Sequence, residues 1–153
     1  DGYESMGSIC SGGRYDALAS DGRTTYPGVG ISLGVSRVVV PLLARTGLTA
    51  SRSVPSAVLV AVTDEDGRAT SAAVAADLRR RDIPCEVSPD AAKFGKQIRY
   101  AERRGIPYVW FTGEAGHEVK DIRTGTQVTA DPATWTPPTE DLRPQVTMKE
   151  QHQ

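Results

Sequence analysis

Ala57-Val58-Leu59-Val60-Ala61-Val62, closed by the turn Asp64-Glu65-Asp66-Gly67, is the stretch that decides the fold. A short apolar run bounded by turn formers reads as a buried strand. Downstream, the spacing predicts a helix from about Arg68 to Arg81 whose inner face carries Val74 and Leu78. A second short strand spans Ile83 to Val87, and a second helix spans Ala91 to Arg104, with Phe94, Ile98 and Ala101 at i, i+4 and i+7 and Gly105 as its stop. Tyr108 to Thr112 reads as a third strand. Strand, helix, strand, helix, strand calls for parallel pairing with right-handed crossovers and helices on the faces of the sheet. Val119 to Ile122 and Gln127 to Thr129, around Arg123-Thr124-Gly125, add a hairpin, so the class is α/β with a mixed, mainly parallel sheet flanked by helices.

Upstream of the first strand, Thr49 to Pro55 lacks periodicity and reads as a linker. Before it, Val35, Val38, Val39, Leu42 and Leu43 repeat at helical spacing up to Gly47, and Pro41 within this helix predicts a bend or a break. Residues 1–34 are rich in Gly, Ser, Asp and Tyr, with two apolar stretches, around Ile9 and from Val29 to Leu33, separated by Ser20-Asp21-Gly22-Arg23. They read as two strands joined by a loop. After Asp131 the prolines Pro132, Pro137, Pro138 and Pro144 and the polar end Lys149 to Gln153 predict an extended, partly disordered tail. The organisation is therefore 1–48, a linker at 49–55, a module at 56–135 and a tail at 136–153.

Composition excludes several classes. The 153 residues carry 18 Lys+Arg against 19 Asp+Glu, a formal net charge of −1, so nucleic-acid binding requires a local basic face. Apolar runs such as Ala57 to Val62 are far below the roughly 20 residues of a membrane helix. Cys10 and Cys85 lie far apart with no C-x-x-C pair, which argues against a zinc site or a disulfide framework and fits a reducing compartment, by default the cytoplasm. The chain opens on Asp1 with no signal-like order of segments, and is expected to be part of something longer.

Gly30-Ile31-Ser32-Leu33-Gly34 matches the G-x-S-x-G pattern of a hydrolase nucleophile, for which Asp90 and His117 would be the partners. Only three positions of that pattern are fixed, two of them Gly, and no H-G-G-G oxyanion loop precedes it. A G-x-G-x-x-G reading from Gly28 fails because Leu33 stands where the third glycine belongs. The small residues Gly28, Gly30, Ser32 and Gly34 would let a planar ligand approach the strand, with Arg37 on the following helical turn to stack on a base or fork onto phosphate oxygens. The alternative is a solvated Arg37 and glycines that permit tight packing. On the second helix, Lys93, Lys96, Arg99 and Arg103 recur at intervals of 3, 3 and 4, opposite the apolar face. Asp77 to Arg104 holds eight Lys/Arg against five Asp/Glu, which suits a phosphate-tracking stripe as well as an ordinary solvated face. Gln97 could read an unstacked base edge, and Tyr100 could stack on a base or belong to the core.

Gly7-Ser8-Ile9-Cys10-Ser11-Gly12-Gly13-Arg14-Tyr15-Asp16-Ala17-Leu18, followed by Pro27-Gly28-Val29-Gly30-Ile31-Ser32-Leu33-Gly34-Val35-Ser36-Arg37, resembles the histidyl-tRNA synthetase family. The first block is similar to its G-G-R-Y-D segment, and the second to motif 3 of class II aminoacyl-tRNA synthetases, with Ser36 where the family often has Glu. Gly95-Lys96-Gln97-Ile98-Arg99-Tyr100-Ala101 and Val119-Lys120-Asp121-Ile122-Arg123-Thr124-Gly125 resemble the same family's C-terminal anticodon-binding module.

The resemblance implies that residues 1–48 are the end of an antiparallel catalytic core. Arg37 would be its catalytic arginine, and Gly12, Gly13, Arg14, Tyr15, Gly30, Ser32, Gly34 and Arg37 would line an ATP and adenylate site. It further implies tRNA contacts at Lys93, Lys96, Gln97, Arg99, Arg103, Lys120 and Arg123. The implied parent is a cytoplasmic homodimer that uses ATP, Mg²⁺, L-histidine and the histidine tRNA, with no metal ligands in this chain and no membrane. Motifs 1 and 2 and the histidine-recognition segment are not in these residues, so the fragment alone is expected to be inactive. The alternative is a non-catalytic tRNA-binding or regulatory paralogue.

Overall fold

The computed structural model describes residues 7–113 and 116–148, without the side chains of residues 45 and 46. The chain divides into two compact units, Asp1–Thr49 with Met148–Gln153, and Ala50–Thr147.

In the first unit, β1 (Cys10–Ser20) and β2 (Thr25–Leu33) form an antiparallel hairpin, followed by α1 (Val35–Thr46). Asp21 closes the hairpin turn. Its carboxylate accepts the backbone N–H groups of Arg23 and Thr24 at 2.8 and 2.7 Å, and these bonds hold its pKa below the usual carboxylate range. α1 ends where Gly47 takes φ +66°, as expected of a glycine stop, and runs unbroken through Pro41, against the predicted break. Gly12 is a steric requirement of the hairpin, since a Cβ there would sit 2.4 Å from the Gly30 carbonyl oxygen. The short β3 (Leu48–Ala50) pairs with the last strand of the chain, β9 (Val146–Met148), and the unit boundaries fall inside these two strands.

The second unit is built on a five-stranded sheet. β4 (Val58–Val60), α2 (Arg68–Arg80), β5 (Cys85–Val87), α3 (Phe94–Arg104) and β6 (Tyr108–Gly113) follow one another as the alternation predicts. β4 pairs in parallel with both β5 and β6. β6 then turns back on β7 (Gly116–Asp121), which pairs with β8 (Gln127–Thr129), giving the order β5-β4-β6-β7-β8. The sheet is therefore mixed, with two parallel and two antiparallel pairings. β4 alternates its side chains between two apolar clusters. Val58 and Val60 pack with Val74, Leu78, Ile83 and Trp110 on the α2 side, whereas Leu59 packs with Ala101, Ile106, Val109 and Phe111 on the α3 side. That double burial is why the 57–62 run carries no polar residue.

Two expectations about connecting segments are corrected. The segment 49–55 is no free linker: Arg52 is 8% exposed and its guanidinium donates to the carbonyls of Val54, Pro55, Asp141 and Leu142. Nor is 136–148 an extended tail. It contains α4 (Thr139–Leu142) and β9, and Trp135 and Leu142 pack on the core. Its anchor is Asp141, which accepts the Tyr108 hydroxyl at 2.7 Å and both terminal Arg123 nitrogens at 2.8 Å. Pro137, Pro138 and Pro144 carry no backbone donor, and the side chains of Arg52, Tyr108 and Arg123, distant in sequence, supply fixing bonds. The predicted polar end, Lys149 to Gln153, lies outside the described residues.

Candidate nucleic-acid interface

α3 is the amphipathic helix that the sequence predicts, starting three residues later than expected, at Phe94. Ala91 and Ala92 belong instead to the loop after β5, where Ala92 N–H donates to the Val62 carbonyl at 3.3 Å. Ala101 and Gln97 are buried and Ile98 is half-buried, which turns Lys93, Lys96, Arg99 and Arg103 outward, all four exposed. Among the described residues no ion pair engages any of them; Arg99 Nε makes only a bond to the Gly95 carbonyl one turn back, at 3.2 Å. Four cations without carboxylate partners along about three turns contribute little to stability and leave a positively charged face.

Beside the stripe runs an open groove of about 750 Å³, lined by Ser88, Asp90, Ala92, Lys96, Arg99 and Tyr100 among others. A second groove of about 610 Å³ shares Lys96 and Arg99 and adds Lys93. Tyr100 is held in place: its hydroxyl donates to Glu86 Oε1 at 2.9 Å, and the Arg104 guanidinium lies 5.2 Å from its ring centre. Burial and the Glu86 bond push the Tyr100 hydroxyl above its ordinary pKa, so it remains a donor.

Two of the expected tRNA contacts are otherwise occupied. Gln97 is 2% exposed: its carbonyl oxygen accepts Val62 N–H at 2.9 Å, while its amide nitrogen donates to the carbonyls of Val62, at 2.8 Å, and Ala92. A buried amide engaged on both sides has no edge left for a base, so Gln97 is a clamp and not a base reader. Arg123 is paired with both Asp121 and Asp141, and these bonds raise its pKa and hold both carboxyls low. It fastens α4 to the sheet. Lys120 is half-buried on β7, in register with Val109 and Gln127. The structure therefore gathers the four α3 cations into one face and leaves Gln97 and Arg123 to the framework. Neither role was visible locally, since each depends on partners at least 18 residues away for the Arg123–Asp141 pair and 35 for the Gln97–Val62 pair.

In the first unit, Arg37 Nη1 donates to the Ser8 carbonyl at 2.6 Å, closing the start of α1 onto the entry of β1. Tyr15 lies over Gly30, where a Cβ would meet its ring at 3.0 Å, and Gly34 lies against the Arg37 side chain. Gly12, Gly13, Arg14, Tyr15 and Ser32 are exposed, and Arg14 pairs with Asp16 at 2.6 Å. Ser32 sits inside β2 opposite Ser11, its hydroxyl 3.5 Å from that of Ser11. A hydrolase nucleophile needs the sharp turn between strand and helix, so the G-x-S-x-G reading fails on geometry. His117 stands on β7 with its ring 6.0 Å from that of Trp110, and Asp90 in the loop after β5. Among the described residues no group of three His, Cys, Asp or Glu side chains could hold a metal ion, and no helix is long and apolar enough to cross a membrane.

Residues 56–133 match the family described as the anticodon binding domain. The chain is 62% identical over 151 residues to the histidine–tRNA ligase of Cutibacterium acnes and 60% identical over 150 residues to that of Micrococcus luteus; each match covers 95% of this chain and 33% of the relative. It thus spans about a third of the length of the curated relatives it matches. Among solved structures it is similar to a histidyl-tRNA synthetase from Nostoc, with a TM-score of 0.53 and 31% identity over 85% of this chain and 33% of that one.

Proposed function

Since the chain belongs to the anticodon-binding-domain family, we propose that it is about a third of a histidine–tRNA ligase, made up of its tRNA-binding module and the part of the catalytic core that contains Arg37. The observation that supports this reading best is the stripe Lys93, Lys96, Arg99 and Arg103, exposed and free of carboxylate partners along two grooves that share Lys96 and Arg99. Such a face meets phosphates through Coulomb attraction and counterion release, which supplies affinity without sequence information. Base discrimination then falls to the groove beside it, where the half-buried Tyr100, the Asp90 region and the loop carbonyls offer stacking and hydrogen bonds to an unstacked loop.

The whole protein's reaction is part of the proposal. The histidine carboxylate attacks the α-phosphorus of ATP, forming histidyl-adenylate and releasing pyrophosphate. A 3′-terminal ribose hydroxyl of the tRNA then attacks the acyl carbon and AMP departs. Arg37 would neutralise the pyrophosphate end, and Gly12, Gly13, Tyr15, Gly30, Ser32 and Gly34 would form a close-approach wall for the adenylate. One Arg37 nitrogen already serves Ser8, which leaves the rest of the guanidinium for phosphate oxygens. The described residues supply no acidic cluster for Mg²⁺, so the ion would be held by the nucleotide and by residues beyond these.

Titration of this chain with the histidine tRNA between 50 and 200 mM salt tests the proposal. Affinity is expected to fall steeply with salt, and Lys93→Glu with Lys96→Glu to weaken binding at least tenfold and flatten the salt dependence by about two phosphate contacts. Binding of unchanged strength and salt slope in that double variant would remove the stripe from the interface.

A further inference from the structure

The buried amide of Gln97 does something for the interface that its lack of exposure conceals. Just past β4, Ala61 N–H still donates to the Trp110 carbonyl of β6 at 2.8 Å, and the strand partners end at Val62. Ser88 N–H donates to the Val60 carbonyl at 2.8 Å and Ala92 N–H to the Val62 carbonyl at 3.3 Å, while the buried Val62 N–H is met by Gln97 Oε1 at 2.9 Å. Gln97 Nε2 returns a bond to the same residue's carbonyl and adds one to Ala92. Toward Val62 the side chain thus presents the donor and acceptor pair that a neighbouring strand would present, and it also ties the loop before α3.

Beside the fork, the first turns of α3 are held by apolar contacts, through Ile98 and Phe94, which packs edge-on against Phe111 at 4.7 Å, while the other directional bonds, Tyr100 to Glu86 at 2.9 Å and Ser53 to the Arg104 carbonyl at 3.1 Å, lie further along toward its C-terminal end. Apolar contact is non-directional and by itself fixes the placement of the first turn only loosely. The start of the helix has no side-chain cap at Lys93 to fix it either. The Gln97 fork is directional and lies between Lys96 on one side and Ile98 and Arg99 on the other, one turn from Lys93.

We propose that Gln97 is a positioning residue for RNA: by locking the first turn of α3 to the end of β4, it sets where Lys93, Lys96 and Arg99 stand along the groove, without touching RNA itself. This rests on the reading of α3 as the RNA face. It makes a demand that a merely structural role does not. A neutral residue replaced by another neutral residue changes the salt slope of binding only if cations elsewhere have moved off their phosphates.

The experiment compares the full chain with Gln97→Leu, near in size and unable to hydrogen-bond, with Gln97→Asn, one methylene too short to span both partners, and with the Lys93→Glu/Lys96→Glu double variant. Each is titrated with the histidine tRNA across the same salt series, alongside its thermal melting curve. Gln97→Leu is expected to melt cooperatively, to bind about tenfold more weakly at 0.1 M salt and to lose about one contact from the salt slope. If it does not fold, Gln97→Asn decides, with the same direction and a smaller loss. A folded Gln97 variant with the wild-type slope, next to a double lysine variant whose slope has dropped, overturns the positioning role and leaves the RNA face standing. No change in the double lysine variant overturns the face and this inference with it.

Discussion

The two units treat apolar side chains in opposite ways. In the hairpin and helix of the first unit, Val29 is 86% exposed and Ile31 81%, whereas in the sheet of the second unit Leu59, Val60 and Trp110 are each at 0%. The residue types are alike and the local structures are regular in both. The difference is layering: within this chain two strands and one helix supply no second layer of their own with which to enclose a face, while five strands with a helix on each side enclose two. Regular secondary structure and a core are separate achievements, and only the second unit has both among the described residues.

That contrast can be broken most directly by deleting matched side chains. Leu59→Ala is expected to destabilise the second unit by about 3 kcal/mol, and Ile31→Ala to change stability by no more than about 0.5 kcal/mol. Urea unfolding followed by tryptophan fluorescence reads the second unit, because both tryptophans of the chain, Trp110 and Trp135, lie within Ala50–Thr147. Equal costs for the two variants, with Ile31→Ala followed by far-UV circular dichroism, would erase the distinction.

A functional version of the same comparison comes next in size. In the full-length ligase proposed to contain this chain, Arg37→Ala is expected to lower histidine-dependent ATP–pyrophosphate exchange by about a hundredfold or more, while tRNA affinity stays within about twofold. Undiminished exchange would take Arg37 out of the adenylation chemistry and with it the division of labour between the units.

The smallest effect sharpens the account of why the second unit holds its C-terminal segment. Asp141→Asn weakens the Arg123 and Tyr108 bonds and is expected to cost about 2 kcal/mol. The pH dependence has a definite sign. Asp141 and Asp121 are held below the usual carboxylate range chiefly by Arg123, so the stability they contribute is present above about pH 4 and lost as pH falls through their lowered folded-state values. Acid unfolding of Asp141→Asn should therefore be shallower than that of the parent chain, and an identical acid limb would exclude the clip as its source.

Much of the second unit is legible one segment at a time. The 57–62 run, the Val74 and Leu78 spacing, Phe94 to Ala101 and the Gly105 stop each declare their element through local period or local conformation, and each is found where expected to within three residues. The stripe of Lys93, Lys96, Arg99 and Arg103 is legible for the same reason, since helical spacing alone places these residues on one face. Only the second half of β7 is announced, as the expected Val119 to Ile122 strand; Gly116, His117 and Glu118 carry no alternation to announce its first half. The Pro-rich segment after Asp131 was misread because its order depends on Arg52 and Arg123, 89 and 18 positions from Asp141 in sequence.

By itself, then, the sequence determined the elements of the second unit, their parallel succession and the direction in which α3 points its cations, because each follows from the period of side chains along a few turns or a few pleats. Tertiary structure alone decided that Gln97 and Arg123 belong to the framework and that the tail is pinned. A polar side chain reads as exposed until the fold brings a buried carbonyl, amide or carboxylate to meet it, and no local spacing records which partner will arrive.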